Sequence, residues 1–230
     1  MLRLDRYLSN ATTLTRSQAQ RALRGGRVSV DGEIVKQGAT QVSTDARVML
    51  DGVAVGPPLP RYFMLNKPMG VVCATRDPGQ RTVLDLFDLP NPERLHIAGR
   101  LDIDTSGLVL VTDDGQWSHR ITAPSSHCPK CYRVTLAEPL GDEYASRLAA
   151  GLQLRGESKP TRPATLEKLS ESELRLTITE GRYHQVKRMF AVLGNRVLAL
   201  HRESIGDLHL DPSLEPGSYR PLLAQEIALF

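Results

Sequence analysis

Apolar positions follow helical spacing at the start of the chain and then switch to alternation. Leu4, Leu8 and Ala11 share one face of a 3.6-residue repeat and predict a short first helix. Thr15-Arg16-Ser17-Gln18 has the capping-box form, a hydroxyl followed three residues later by Gln. A second helix is therefore expected from about Arg16 to Arg24, with Ala19, Ala22 and Leu23 facing inward. Gly25-Gly26 ends it, because glycine accepts the left-handed conformation at a helix terminus. Val28 to Val35 and Val48 to Val55 each alternate around an Asp-Gly pair. Tight hairpin turns need positive φ, which Asp-Gly supplies. Residues 1–56 thus read as two helices on a small hairpin sheet.

Gly56-Pro57-Pro58-Leu59-Pro60 breaks both periodicities. Proline blocks helix and sheet ladders and favours an extended spacer, so a linker is expected over 57–60 and a second, larger domain over 61–230. Within it Tyr62–Leu65, Gly70–Cys73, Gly107–Thr112, Tyr132–Leu136 and Leu174–Thr179 read as strands. Asp142–Gly151 and His184–Leu193 read as helices. Strands and helices do not alternate regularly, which argues against a doubly wound parallel sheet. The expected class is α+β, with a large, mainly antiparallel mixed sheet in the second domain.

The chain has 230 residues, 40% hydrophobic and 24% charged, and this is ordinary for a globular protein with a real core. It contains no apolar run long enough to span a membrane. Met1 to Asn10 mixes Arg3, Asp5 and Arg6 with single apolar residues, unlike a signal peptide. Three cysteines, Cys73, Cys128 and Cys131, point to a reducing compartment, and the cytoplasm is expected. Net charge is only +3, but its distribution is uneven. Residues 1–27 carry Arg3, Arg6, Arg16, Arg21, Arg24 and Arg27 against Asp5 alone. Glu180 to Arg202 is a second basic stretch, with Arg182, Lys187, Arg188, Arg196 and Arg202. Such segments are either solvated faces or focused contacts to a polyanion.

Three segments carry candidate chemistry. In Gly99-Arg100-Leu101-Asp102-Ile103-Asp104-Thr105-Ser106-Gly107 two carboxylates stand two apart before a small-residue turn. If extended, both share a face and fit a paired-carboxylate glycoside hydrolase. If looped, one faces a cleft and the other holds the turn. Glu180 to Phe190 combines Arg182, His184, Gln185, Lys187 and Arg188 at a helix start, and reads either as a surface helix or as donors aimed at phosphate and a carboxylate. In Lys130-Cys131-Tyr132-Arg133 an aromatic between cations suits a stacked base with phosphate on either side. Cys128-Pro129-Lys130-Cys131 has half-site spacing for zinc, but no second pair accompanies it and no metal is expected.

In order and composition these segments resemble the pseudouridine synthases, in the branch that acts on single ribosomal RNA sites. Gly99 to Leu110 resembles the catalytic motif, Phe63 to Gly70 the first motif, Lys130-Cys131-Tyr132 the tyrosine motif and Gly181 to Met189 the final basic motif. Residues 1–56 resemble the S4 RNA-binding domain. Val71 to Thr75 and Thr112 to Thr122 are similar to those members that modify uridine 516 of bacterial 16S rRNA.

The resemblance implies Asp102 as the essential carboxylate, Lys187 as its cation and Tyr132 as the residue stacked on the target base. It implies Ile178 as a pocket wall and Arg100 as the filler of the gap left by an extruded base. Asn66 and Lys67 would shape the cleft, and Arg182, His184, Gln185 and Arg188 would contact substrate. Asp104 would hold the turn, and a glycoside hydrolase would leave the S4-like module and basic helix without a purpose. Arg3, Arg6, Arg16, Arg21, Arg24 and Arg27 would meet RNA phosphate. No cofactor is implied. The implied partner is 16S rRNA within a partially assembled small ribosomal subunit, acted on by a monomer. A 23S rRNA uridine as target, or an RNA-binding protein without catalysis, are the alternatives.

Overall fold

The computed structural model describes residues 1–43 and 45–230. They divide into two compact units, Met1–Pro60 with Leu89–Pro92, and Arg61–Asp88 with Glu93–Phe230. No helix among the described residues is long and apolar enough to cross a membrane.

The first unit contains β1 (Leu2–Arg3), α1 (Leu4–Ala11), α2 (Arg16–Arg24), β2 (Val28–Val30), β3 (Glu33–Ile34), β4 (Gln41–Val42), β5 (Val48–Leu50) and β6 (Val53–Val55). The capping box at Thr15 forms in both directions, which fixes the start of α2. Gly26, not Gly25, takes the positive φ that ends it. Both Asp-Gly pairs have positive φ at both residues, the geometry of a two-residue hairpin turn. The hairpins join through β2 and β5 into one four-stranded sheet, β3-β2-β5-β6. A further pairing of β1 with β4, absent from the sequence reading, closes the module. Its core is Leu4, Tyr7, Leu8, Ala19, Ala22, Leu23, Val28, Val42 and Val48.

The second unit contains β7 (Tyr62–Lys67), β8 (His96–Ala98), β9 (Ser106–Thr112), α3 (Gly115–Thr122), β10 (Lys130–Leu136), α4 (Tyr144–Ala150), β11 (Thr165–Lys168), β12 (Glu173–Ile178), α5 (Gln185–Val192), β13 (Val197–Ile205), β14 (Leu208–His209), β15 (Tyr219–Pro221) and α6 (Ala224–Ile227). Nine strands form one sheet in the order β11-β12-β10-β13-β9-β7-β15, with β14 on β13 and β8 on β9. Among the described strands of this sheet only β13 and β9 run parallel, so the sheet is mixed and mainly antiparallel. Leu108, Leu110, Trp117, Ile121, Ile205 and Leu208 belong to the core beneath it.

One expectation fails here, and one strand was not foreseen. Gly70–Cys73 is no strand. Gly70 has positive φ, and the backbone partners of Gly70 and Val72 are Ile103 and Arg81 in loops and Val83 at the start of a 3-10 turn. Val71 and Cys73 are apolar because they are buried, not because they pair. Conversely, β13 is the longest strand and lies at the sheet centre, yet its pattern conceals it. Its inward positions are Leu200, Arg202 and Ser204, so a buried arginine stands where alternation calls for an apolar residue.

Candidate active site

A cavity of about 1010 Å³ opens in the second unit over the strands β10, β12 and β13 and the loop preceding β9. Each wall comes from a separate stretch of sequence. Tyr132 lies on β10 opposite Arg202 of β13 and Leu176 of β12. Ile178 ends β12, buried, and Lys187 projects from the first turn of α5.

Asp102 and Asp104 sit in a loop, not a strand. Several bonds hold that loop from behind. The Leu101 amide donates to Cys73 Sγ at 3.3 Å, and the Gly70 amide to the Ile103 carbonyl at 2.8 Å. Lys67 Nζ donates to the carbonyls of Thr105 at 2.8 Å and Pro68 at 3.0 Å. The Thr105 amide donates back to the Asp102 carbonyl at 3.1 Å. Burial pulls the Lys67 ammonium below its ordinary pKa. Lys67 thus shapes the cleft from behind, but the expectation that it and Asn66 bind substrate is corrected. Lys67 is fully buried and supports the loop instead of facing substrate, and Asn66 spends its side-chain amide on the Leu214 carbonyl at 2.7 Å. Neither lines the cavity.

Both aspartates reach one cation. Lys187 Nζ lies 3.1 Å from Asp102 Oδ2 and also bonds Asp104 Oδ1. Asp104 is therefore more than a turn residue. The hydrogen bond from Lys187 holds its carboxyl below the ordinary range, against the opposing effect of burial. Burial pulls Lys187 down, but its bonds to Asp104 and Asp102 outweigh that and its net shift is upward. On the far side of Asp102, His184 Nε2 is 3.6 Å from Oδ1. The Asp102 side chain remains 29% exposed to the cavity.

Arg202 is the residue sequence reading placed only in a basic stretch. Its guanidinium is buried and, among the described residues, has no carboxylate within ion-pair distance. It donates to the carbonyls of Leu108 and Gly99, each at 2.8 Å, and approaches the Tyr132 hydroxyl at 3.5 Å. It also stands 5.9 Å from the Tyr132 ring centroid, within cation–π range. One side chain thus ties the base of the Asp102 loop to the tyrosine.

Other expected contacts are already occupied. Arg182 donates to the carbonyls of Lys159 and Pro160 and to Glu180. Arg188 donates to Glu157 and to the carbonyls of Tyr183 and Arg155. Gln185 is buried and bonds Glu180 and the Arg182 amide. These residues build the loop before α5. The neighbours of Tyr132 are likewise bound, Lys130 to the Cys128 carbonyl and Arg133 to Glu173. Arg100 is exposed at the cavity, and its guanidinium has no partner among the described residues. In the first unit Arg3 and Arg16 pair with buried Asp5, and Arg27 with Asp51. Arg6, Arg21 and Arg24 are exposed without a carboxylate partner among the described residues. No three His, Cys, Asp or Glu side chains among the described residues gather as a metal site.

Residues 61–192 match the RNA pseudouridylate synthase family, and residues 2–48 match the S4 domain. A ribosomal small subunit pseudouridine synthase A of Yersinia pestis is 55% identical over 99% of this chain and 97% of its own length. The protein of the same name from Escherichia coli K12 is 54% identical over 99% of both chains. A crystal structure described as a pseudouridylate synthase superposes with a TM-score of 0.73 at 52% identity, covering 100% of both chains. With an S4 domain before it and this full-length likeness behind it, the chain belongs to the RNA pseudouridylate synthase family.

Proposed function

We propose that this enzyme converts uridine 516 of 16S rRNA to pseudouridine, with Asp102 as the reacting carboxylate. The observation that carries the proposal is the placement of Asp102, partly open to the cavity and 3.1 Å from the Lys187 ammonium, with Tyr132 and Ile178 on the walls. The small-subunit target is supported by the names of the full-length relatives.

In pseudouridylation the N1–C1′ bond breaks, the uracil turns, C5 bonds to C1′, and the C5 proton is given up while N1 takes one. No atom is lost overall, so no redox or group-carrier cofactor is called for. Asp102 either attacks C1′ or removes the C2′ proton. Both use the free carboxylate, and the Lys187 ammonium 3.1 Å away orients it toward the cavity. Tyr132 lines the cavity and takes the uracil on its ring, with Arg202 beside its hydroxyl at 3.5 Å. Arg100 enters the gap in the RNA, offsetting part of the few kcal/mol that extrusion costs.

The substrate in the cytoplasm is proposed to be 16S rRNA in a partially assembled small subunit, acted on by a monomer. Comparing rates on naked rRNA and on precursor particles, with light scattering of the free protein, tests both points. The target itself is tested by mapping pseudouridines in 16S and 23S rRNA with and without the gene. Loss at position 516, restored by purified protein, is expected. Loss at a 23S position would assign another target, and an unchanged map would mean RNA binding without this reaction.

A further inference from the structure

The cations around the loop before α5 are spent on protein groups, Arg182 on the Lys159 and Pro160 carbonyls and Arg188 on Glu157 and the Tyr183 carbonyl. What the loop presents outward is an aromatic pair. Arg188 holds the Tyr183 carbonyl at 3.0 Å, and Arg182 and Gln185 brace the chain on either side. His184 takes a left-handed conformation, φ 48°, that side-chain-bearing residues rarely adopt. That turn lays the Tyr183 and His184 rings against one another, 3.8 Å apart and 19° from parallel. Tyr183 is nonetheless 77% exposed. A tyrosine this open gains little from burial, yet the Arg188 guanidinium holds its carbonyl. Both rings border the cavity. The stack runs outward from the reacting carboxylate, His184 at 3.6 Å from Asp102 and Tyr183 one ring further out.

We propose that the outer face of Tyr183 is a stacking platform for the nucleobase next to the target uridine. When the uridine leaves the RNA stack, each neighbouring base loses a partner on one side. A rigid aromatic plane one layer beyond the site replaces it. Every base has a π face, so the platform adds affinity and register without choosing base identity. His184 backs the ring and keeps its plane fixed. The inference rests on Asp102 being the reacting carboxylate.

The test uses the full-length protein and an rRNA fragment first shown to be converted by it. 2-Aminopurine is placed at the nucleotide before or after the target, and Tyr183→Phe, Tyr183→Leu and Tyr183→Ala are compared with wild type. Wild type and the Phe variant should quench the probe at one of the two positions. The Leu and Ala variants should lose the quench and raise KM about tenfold with a much smaller change in kcat. Leu keeps apolar bulk without a π face, so it separates stacking from simple cover. Absence of quench at both positions in a fragment the wild type converts would overturn the platform, as would a Leu variant equal to Phe. Conversion of a 23S fragment in place of 16S would overturn the target proposed above, and the platform is then read on that fragment.

Discussion

A methyl group added to Gly107 would lie 2.3 Å from the carbonyl oxygen of Arg202 and 2.6 Å from its amide nitrogen. The two residues face each other where β9 and β13 run parallel, and Gly107 has φ 106°. The glycine that follows the aspartate loop is thus required by a strand contact. Backbone atoms form the obstacle and cannot swing aside. Gly107→Ala should destabilise the catalytic unit by about 3 kcal/mol or more. A urea melt checks this, and a midpoint within error of wild type would refute the close approach.

Lys187→Ala should lower kcat about 100-fold, since Asp102 loses its nearest cation in a partly enclosed site. Lys187→Arg should recover much of it, because charge is kept while geometry changes. Asp104→Asn should alter the rate by no more than about fivefold, the worth of an exposed ion pair. Single-turnover rates of the three variants decide. Equal losses in the Ala and Arg variants would mean that charge is not what Lys187 supplies.

Tyr132→Ala should lose about 100-fold in activity and Tyr132→Phe much less, as stacking is worth about 1–3 kcal/mol per base. Arg202→Met keeps the bulk but strips donors from the Leu108 and Gly99 carbonyls, costing about 2–4 kcal/mol of stability. Thermal melts and rates measured together separate the two residues. A fully stable Arg202→Met would contradict the structural part of this role.

Much of this architecture was written locally. Asp31-Gly32 and Asp51-Gly52 announce their hairpins because the turn chemistry lies within the two residues. Thr15 and Gln18 announce α2 for the same reason. What escaped was non-local. Arg182 and Arg188 look like phosphate ligands until Glu157, Lys159 and Pro160 arrive from more than twenty residues upstream. Lys67 looks available until the chain returns with Thr105. β13 looked like charge because its buried arginine bonds carbonyls of another strand. α3 could have been found, since Asp114 accepts from the Gln116 and Trp117 amides as an N-cap.

The arginines of the first unit should divide by partner. Replacing Arg6, Arg21 and Arg24 by Gln should flatten the log–log salt dependence of RNA binding by about 2 to 3 units, at roughly 0.7 to 0.9 per phosphate. Arg3 and Arg16 should matter more for stability, because they hold the buried Asp5. The Arg3 hydrogen bond keeps the Asp5 carboxyl well below the usual carboxylate range despite its burial. Its stabilisation is therefore present above the unfolded pKa of about 4 and lost as pH falls through the lowered folded value. Asp5→Ala should remove that acid-side loss and lower the plateau by about 1–3 kcal/mol. Salt titrations and melts between pH 2 and 7 check both halves, and an unchanged slope would place Arg6, Arg21 and Arg24 away from RNA.

The central claim is that Asp102 does the chemistry. The most direct measurement is pseudouridine formation by Asp102→Asn on a 16S rRNA fragment containing uridine 516, alongside RNA affinity for the same fragment. The variant protein is checked by mass spectrometry for deamidation back to Asp. Wild type is expected to convert the uridine, and Asp102→Asn to bind the RNA within a few-fold of wild type while yielding no product. Full conversion by an intact Asn variant would contradict the assignment.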